Sequence, residues 1–352
     1  MAPHRSAAGR FNAGREPVLS LYRLARPFLF SLDAENAHQL ALKSAALAAL
    51  VAPPVPASPV RAMGLEFPNP VGLAAGLDKN AEHIDALGAL GFGFLEVGTV
   101  TPRAQPGNAR PRLFRIAEKD AIINRFGFNN VGVDRFIENV RRSRWNGILG
   151  INIGKNADTP AERAVDDYVA CLEKVYLHAA YVTINISSPN TKGLRTLQEA
   201  HQLDALLARL TTLREKLTQH HARRVPLVVK VAPDLTGDEI QSIADAVRRY
   251  RIEGLIATNT SVSRDGVEGL PHAKEAGGLS GAPIRDRATE VLRQFSAALK
   301  GEVALIGAGG IMNGEDAAAK FRAGANLVQL YTGLVYRGWN LIAECASAYR
   351  AK

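Results

Sequence analysis

Residues 303–333 read VALIGAGGIMNGEDAAAKFRAGANLVQLYTG, two short apolar runs separated by one amphipathic stretch. The apolar runs predict strands at Val303–Ala308 and Asn326–Tyr331, and the stretch near 313–323 predicts a helix. Two buried strands joined by a helix are typical of a parallel sheet, because parallel neighbours need a crossover connection.

The same unit recurs along the chain from residue 71 onward. Strands are predicted at Val71–Ala75, Phe94–Gly98, Ile148–Ile153, Tyr181–Ile186, Leu227–Val231, Gly254–Thr258, Val303–Ala308 and Asn326–Tyr331. Each is followed by a predicted helix, so the pattern predicts an α/β fold of the (β/α)8 TIM-barrel type. A doubly wound open sheet is the alternative. It would place GxGxxG after an early strand, whereas the first strand here leads into Ala74-Ala-Gly-Leu-Asp-Lys79.

Composition narrows the class of protein. The chain has 352 residues, with 43 Lys and Arg against 34 Asp and Glu, a formal charge of +9. Hydrophobic residues at 47% and charged residues at 22% exclude a disordered or fibrous chain. Cys171 and Cys345 lack CxxC spacing, which excludes a disulfide framework, a zinc ribbon and a cysteine-ligated cluster. The basic residues are dispersed, so we expect anionic small ligands or an anionic membrane surface and no nucleic acid.

The region before the barrel has its own organisation. The first 15 residues carry three arginines and no acid, which predicts a basic flexible tail, with an organelle presequence as the alternative. Two helices are then predicted, about Val18–Phe30 and a second one capped by Asp33. The predicted division of the chain is the tail at 1–16, a helical cap at 17–52, a Pro-rich linker at 53–63 and the barrel at 64–352.

The carboxyl ends of the predicted strands carry amides, hydroxyls and two lysines. In a TIM barrel these ends hold the functional side chains, and this set fits an anionic cofactor and an anionic substrate. It offers neither the paired carboxylates of glycoside hydrolysis nor the ligands of a metal-dependent hydrolase. Glycines at Gly307–Gly310, Tyr331–Gly333 and Gly277–Gly281 predict a phosphate site, because bare backbone N–H groups can approach an anion.

Three longer motifs carry a family resemblance: Ala74-Ala-Gly-Leu-Asp-Lys79, Asn124-Arg-Phe-Gly-Phe-Asn-Asn130 and Asn185-Ile-Ser-Ser-Pro-Asn-Thr191. Together they closely resemble the class 2, membrane-associated, quinone-dependent dihydroorotate dehydrogenases, over roughly residues 17–350. The resemblance implies oxidation of (S)-dihydroorotate to orotate in pyrimidine biosynthesis. Hydride would pass to FMN, a proton to Ser188, and electrons to a membrane quinone. Class 1 relatives place Cys where this chain has Ser188, which favours class 2.

The resemblance also implies the binding residues. Those implied for FMN are Ala75, Gly76, Leu77, Asp78, Lys79, Thr99, Asn152, Asn185, Lys230, Thr258, Gly281, Gly310, Tyr331 and Thr332. Those implied for the substrate are Lys79, Asn124, Arg125, Phe126, Gly127, Phe128, Asn185, Asn190, Asn259 and Thr260. The quinone contacts implied are His38, Arg115 and Tyr331. The amides suit orotate, which presents both carbonyl and N–H groups.

In the family that this chain resembles, the helical cap lies on a membrane and admits the quinone. The residues implied to face lipid or the quinone are Phe28, Leu29, Phe30, Leu40 and Leu47, with Arg23 and Arg26 suited to anionic lipid. The implied location is the cytoplasmic face of a bacterial inner membrane, with a mitochondrial inner membrane as the alternative. Three alternative functions stay open: a class 1-like enzyme with a soluble acceptor, a tRNA dihydrouridine synthase, and an inactive barrel that only docks on membranes.

Overall fold

The computed structural model describes residues 21–349 and contains a closed barrel of parallel strands. In chain order these are β1 (Val71–Leu73), β2 (Phe94–Val100), β3 (Ile148–Ile153), β4 (Tyr181–Asn185), β5 (Leu227–Val231), β6 (Gly254–Ala257), β7 (Ala304–Ala308) and β8 (Leu327–Leu330). Each strand pairs with the next, and β8 closes the ring on β1. The predicted (β/α)8 barrel is therefore confirmed. The predicted tail at 1–16 lies outside the described residues.

Helices precede and surround the barrel. They are α1 (Leu21–Ser31), α2 (Ala34–Lys43), α3 (Ala45–Ala49), α4 (Ile84–Gly88), α5 (Val133–Arg142), α6 (Ala164–Val175), α7 (Ala200–His221), α8 (Gly237–Arg249), α9 (Arg285–Leu299), α10 (Gly314–Arg322), α11 (Thr332–Arg337) and α12 (Asn340–Ser347). Strands β2, β4 and β5 are buried at every position, because helices cover the outside while side chains fill the interior.

Two additional antiparallel sheets lie outside the ring of barrel strands. A hairpin of Val60–Ala62 and Leu65–Phe67 places the Phe67 ring 5.2 Å from the ring of Phe94 in β2. A second antiparallel sheet joins Leu113–Ile116, Ala121–Asn124 and Gly278–Gly281. The strands of this second sheet follow β2 and β6 in the chain, so they belong to the carboxyl-end loops that build the functional sites of such barrels.

The N-terminal helices form a cap, defined here as residues 21–51. The Asp33 carboxylate accepts the backbone N–H groups of Glu35 and Asn36 at 3.0 Å, the N-cap expected from the sequence. The second predicted helix is divided at Ser44, whose φ of −91° and ψ of −2° depart from α-helical values and lie in the bridge region. The cap consequently has three helical segments where the sequence predicted two.

One buried ion pair fastens the cap to the barrel. The Glu35 carboxylate of α2 accepts Arg112 Nη2 at 2.8 Å and Arg112 Nε at 3.1 Å, and both residues are less than 10% exposed. Arg112 also donates to the carbonyls of Pro106 and Asn108. Burial alone would raise the pKa of Glu35, but its hydrogen bonds to Arg112 and the nearby positive charges outweigh that effect and lower it.

Most of the exposed large apolar side chains lie on the cap. Among the described residues, the large hydrophobic side chains left exposed in this region are Leu24, Phe28, Leu40, Leu47, Leu50 and Val51, against Leu177 and Val262 elsewhere. Clustered exposure of this kind is typical of a surface that meets a membrane or a partner. Within residues 21–349, no helix combines the length and apolarity needed to cross a bilayer.

The substitution Glu35→Ala should destabilise the chain by about 3 kcal/mol, because it leaves the Arg112 guanidinium buried without its counter-charge. Denaturant unfolding followed by fluorescence measures this, since Trp339 packs on Tyr22 of α1 with ring centroids 5.5 Å apart. The pKa of Glu35 is depressed in the folded chain, so this contribution is present at neutral pH and is lost as the pH falls through that depressed value.

Glu66→Ala is the matched control, because the Arg61–Glu66 pair is exposed and screened by solvent, so its loss should change stability far less than the loss of Glu35. Equal effects of the two substitutions would contradict the role assigned to Glu35.

Candidate active site

A polar cavity of about 1000 Å³, measured to its open mouth, lies at the carboxyl ends of the barrel strands. Strands β1, β2, β4, β5 and β8 bring Ala75, Thr99, Asn185, Lys230 and Tyr331 to its wall. Among the described residues that line it there are two lysines and no Asp, Glu or His. The cavity is therefore suited to a ligand that carries negative charge and hydrogen-bonding edges.

Glycines open one side of this cavity. Gly310 has φ +75° and Gly281 has φ +97°. A Cβ on Gly310 would lie 2.2 Å from the Cα of Arg285, and one on Gly281 would lie 2.2 Å from the carbonyl oxygen of Asp120. Beside them, Thr332 Oγ1 donates to Ser280 Oγ at 2.8 Å. Bare backbone with two hydroxyls is a suitable cradle for a phosphate group.

Lys79 supplies positive charge to the cavity. Its Nζ donates to the carbonyl of Gly76 at 2.6 Å and lies 3.8 Å from the centre of the Phe126 ring. Burial lowers the pKa of Lys79 to about 8, against an opposing effect of the Glu35 carboxylate. The amine is therefore mainly protonated at pH 7, and an anionic ligand beside it would raise its pKa.

The second lysine, Lys230 of β5, is only 5% exposed. Burial lowers its pKa, and the negative charge of Glu96 on β2 opposes that effect. Lys230 therefore presents a buried amine to the cavity, with a carboxylate within electrostatic range.

Amide side chains form the floor of the cavity. Thr99 Oγ1 donates to Asn152 Oδ1 at 2.6 Å, and Asn185 Nδ2 donates to Thr99 Oγ1 at 3.0 Å. Asn152 is fully buried and lies below the lining residues, where its Nδ2 donates to Glu96 at 2.8 Å. The floor is thus a connected hydrogen-bond network, which holds its side chains in fixed orientations.

Ser188 belongs to a second polar group in the same cavity. Ser188 is 7% exposed, and its hydroxyl accepts the backbone N–H of Asn190 at 3.3 Å. Asn190 Nδ2 in turn donates to the carbonyl of Asn124 at 3.1 Å, and Asn259 Nδ2 donates to Ser187 Oγ at 3.0 Å. Loops after β2, β4 and β6 therefore converge on one end of the cavity.

Most of the residues predicted for FMN and substrate line this cavity, and four of them do not. Leu77 lines a different, apolar cavity, and Asn152 lies under the floor. The Asp78 carboxylate accepts the backbone N–H groups of Glu82 and His83, which fixes the turn before α4. The Arg125 guanidinium points to Glu275, at 2.6 Å. Direct ligand contacts for all of these residues stay predictions.

The sequence analysis missed two polar residues of the site. Glu96 lies inside the barrel beneath the cavity, and Gln329 of β8 lines it with an Oε1 atom that is buried without a hydrogen-bond partner. The sequence did indicate that Glu96 is unusual, because it is one acidic residue within the apolar strand sequence FLEVGTV of 94–100. A charge in a continuously buried strand requires partners, and it therefore marks an interior polar site.

An apolar cavity of about 1850 Å³ lies between the cap and the barrel. The three residues predicted to contact the quinone, His38, Arg115 and Tyr331, all line it, and Tyr331 lines the polar cavity as well. Burial, together with the charge of Lys79, lowers the pKa of His38 to about 3, so its imidazole is neutral at physiological pH. Arg115 donates to the carbonyls of Leu29 and Phe30 at the end of α1.

Comparison with known proteins agrees with this architecture. The sequence model of the family described as dihydroorotate dehydrogenase matches residues 59–348. A dihydroorotate dehydrogenase (quinone) of Paraburkholderia phymatum is 60% identical over 94% of this chain and 97% of its own length. One from Ralstonia nicotianae is 59% identical over 94% and 98%. The crystal structure of the Eimeria tenella enzyme in complex with ferulenol superposes with a TM-score of 0.86 at 38% identity, covering 94% of both chains.

The substitution Gly310→Ala should weaken binding of FMN, the phosphate-bearing cofactor expected from the sequence, by more than about tenfold. The added Cβ collides with the backbone of Arg285, so the loop must move and lose hydrogen bonds to the phosphate, each worth about 1.5–3 kcal/mol for a charged group. Flavin absorbance per chain and titration of the flavin-free protein measure the effect.

Gly269→Ala is the matched control, because Gly269 has the same φ of +75° and an added Cβ there meets nothing within 4 Å. If both variants bound FMN equally, the proposed cradle would be refuted.

Proposed function

The chain belongs to the dihydroorotate dehydrogenase family, and we propose that it oxidises (S)-dihydroorotate to orotate in pyrimidine biosynthesis with a membrane quinone as electron acceptor. The observation that carries the quinone assignment is the pair of cavities, one polar and one apolar, that meet at Tyr331. A soluble acceptor, as in a class 1-like enzyme, would not need an apolar cavity beneath an exposed apolar cap.

The polar cavity fits FMN on three observations. The glycine cradle with Ser280 and Thr332 suits the phosphate, the floor amides suit the edge of the ring, and the unpartnered Oε1 of Gln329 offers a free acceptor. Bound FMN supplies a two-electron acceptor, which amino-acid side chains do not provide. The residues that would hold the ring are Thr99, Asn185, Lys230 and Thr258. Lys230 would compensate negative charge on it.

The substrate would lie at the end of the cavity that holds Ser188. Lys79 supplies a cation for the substrate carboxylate, and the amides of Asn124, Asn190 and Asn259 can both donate and accept hydrogen bonds. Ser188 is the residue proposed to take the substrate proton. Among the described lining residues there is no carboxylate or imidazole, so the hydroxyl proton of Ser188 has to leave through another hydroxyl or a water molecule.

We assign the cap to the membrane surface. Leu24, Phe28, Leu47 and Leu50 are each more than 60% exposed, and Arg23 beside them is exposed as well. An apolar face with a flanking cation suits the interface of an anionic bilayer. The two sequence relatives named above, from Paraburkholderia phymatum and Ralstonia nicotianae, are bacterial, which favours the cytoplasmic face of a bacterial inner membrane over a mitochondrial location.

Purified protein should reduce a soluble quinone when dihydroorotate is added, and fumarate and NAD should be poor acceptors. Ser188→Ala should lower kcat by about 10²–10⁴-fold, the usual contribution of a positioned general base. It should retain the flavin, which distinguishes loss of the base from loss of the cofactor. Steady-state kinetics with the three acceptors measure the acceptor preference and kcat, and flavin absorbance per chain measures how much flavin the variant retains.

Efficient turnover with fumarate or NAD would move the chain to the class 1-like alternative. Flavin with no dihydroorotate oxidation would favour another FMN barrel, such as a tRNA dihydrouridine synthase. Absence of flavin would favour the inactive membrane-docking barrel.

His38→Ala should raise the KM for quinone about fivefold, the cost of one hydrogen bond of about 1 kcal/mol, with little change in the KM for dihydroorotate. Gln39→Ala provides the matched control, because Gln39 is the exposed neighbour of His38 on α2 and does not line the apolar cavity. An unchanged KM for quinone in His38→Ala would remove His38 from the quinone site.

A further inference from the structure

Glu96 is the carboxylate at the centre of the barrel. It is fully buried in β2 and accepts four neutral donors: Asn152 Nδ2 at 2.8 Å, Tyr181 Oη at 3.1 Å, Thr183 Oγ1 at 3.1 Å and Gln329 Nε2 at 2.8 Å. No salt bridge reaches Glu96 from the described residues. A buried charge without a direct ion pair is costly, so four converging donors indicate that the barrel is built around this carboxylate.

An ionised carboxylate accepts hydrogen bonds and donates none, and this fixes the direction of the network above it. Because Asn152 must turn Nδ2 toward Glu96, its Oδ1 faces upward and accepts from Thr99 Oγ1 at 2.6 Å and Asn185 Nδ2 at 3.2 Å. Asn185 Oδ1 then accepts the Ser187 N–H at 3.3 Å. The orientation of Glu96 is thereby transmitted from the barrel interior to the residue that precedes Ser188.

Glu96 also affects the electrostatic environment of Lys230. It lies within electrostatic range of Lys230, the one lysine on the floor side of the cavity, and it opposes the effect of burial on that amine. Lys230 thus lies at the wall of the cavity, and the carboxylate of Glu96 lies one layer deeper. The anion reduces the positive potential that Lys230 imposes on a bound ring.

We propose that Glu96 is a positioning residue of the flavin site, which orients the Asn152–Asn185 amides and sets the reduction potential of the bound FMN through its buried negative charge. The inference rests on the proposed function, because it requires a flavin in the polar cavity. Glu96 is not among the residues that line the polar cavity, so its effect passes through Asn152, Gln329 and Lys230.

The proposal predicts the direction in which the midpoint potential of the flavin should shift when Glu96 is replaced. Reduction adds negative charge to the ring, and a nearby carboxylate opposes that addition. Glu96→Gln removes the charge at nearly constant volume, so the midpoint potential of bound FMN should become more positive. We expect at least a tenfold change in the reduction equilibrium, which is about 30 mV for two electrons.

Thr183→Val tests the same electrostatic effect of Glu96, but it should shift the reduction potential of FMN in the opposite direction. It removes one hydrogen-bond donor from the Glu96 carboxylate and keeps the charge, so the anion is less neutralised and the potential should become more negative, by about threefold in the equilibrium. Glu96→Asp retains the charge, and its potential should stay closer to that of the unmodified protein than the potential of Glu96→Gln does.

The experiment is a spectrophotometric redox titration of the flavin in the purified holoenzyme and the three variants. Opposite shifts for Glu96→Gln and Thr183→Val support the proposal, since a merely structural disturbance has no reason to change sign. Unchanged potentials in both would overturn it. If Glu96→Gln fails to fold or loses its flavin, the sign of the Thr183→Val shift decides. Absence of flavin from the unmodified protein would instead refute the proposed function.

Discussion

Closure of the parallel strands into a ring is the constraint on which the site depends. Because every strand runs in the same direction and β8 pairs with β1, all the carboxyl ends open at one mouth. Residues far apart in the chain, such as Lys79, Ser188 and Tyr331, reach one cavity for that reason alone. The helices pack outside the ring, and the interior below the mouth is filled by side chains, so the floor of the cavity is rigid.

A boundary between two chemical environments runs through Tyr331. On one side lie lysines, amides and hydroxyls, and on the other lie the apolar side chains of the cap. The Tyr331 hydroxyl donates to the carbonyl of Gly76 at 3.3 Å, and burial raises its pKa, so the phenol stays neutral. An uncharged, hydrogen-bonded aromatic residue suits this position, because it contacts apolar groups with its ring and polar groups with its hydroxyl.

The sequence predicted the barrel because each strand is a continuous apolar run, and burial on both faces produces that pattern locally. The lining of the polar cavity was largely predicted as well, since strand ends and glycine-rich loops are local features. Pairings between distant segments were not predictable in this way. Glu35 with Arg112, and Arg125 with Glu275, join residues 77 and 150 positions apart, and no local pattern indicates such partners. The direction of a side chain such as Arg125 depends on these contacts.

The Glu35–Arg112 pair limits how this architecture can be altered over evolutionary time. The apolar cavity proposed to bind the quinone is lined largely by a short N-terminal segment, so exchanging that segment would change this cavity and leave most of the polar cavity in the barrel as it is. Arg112, however, also donates to the carbonyl of Asn108, and Asn108 Nδ2 donates to the carbonyls of Arg125 and Asn190 beside the proposed substrate site. A replacement segment that keeps Arg112 buried therefore has to bring its own carboxylate to it, because this one guanidinium couples the cap to the loop that carries Asn108.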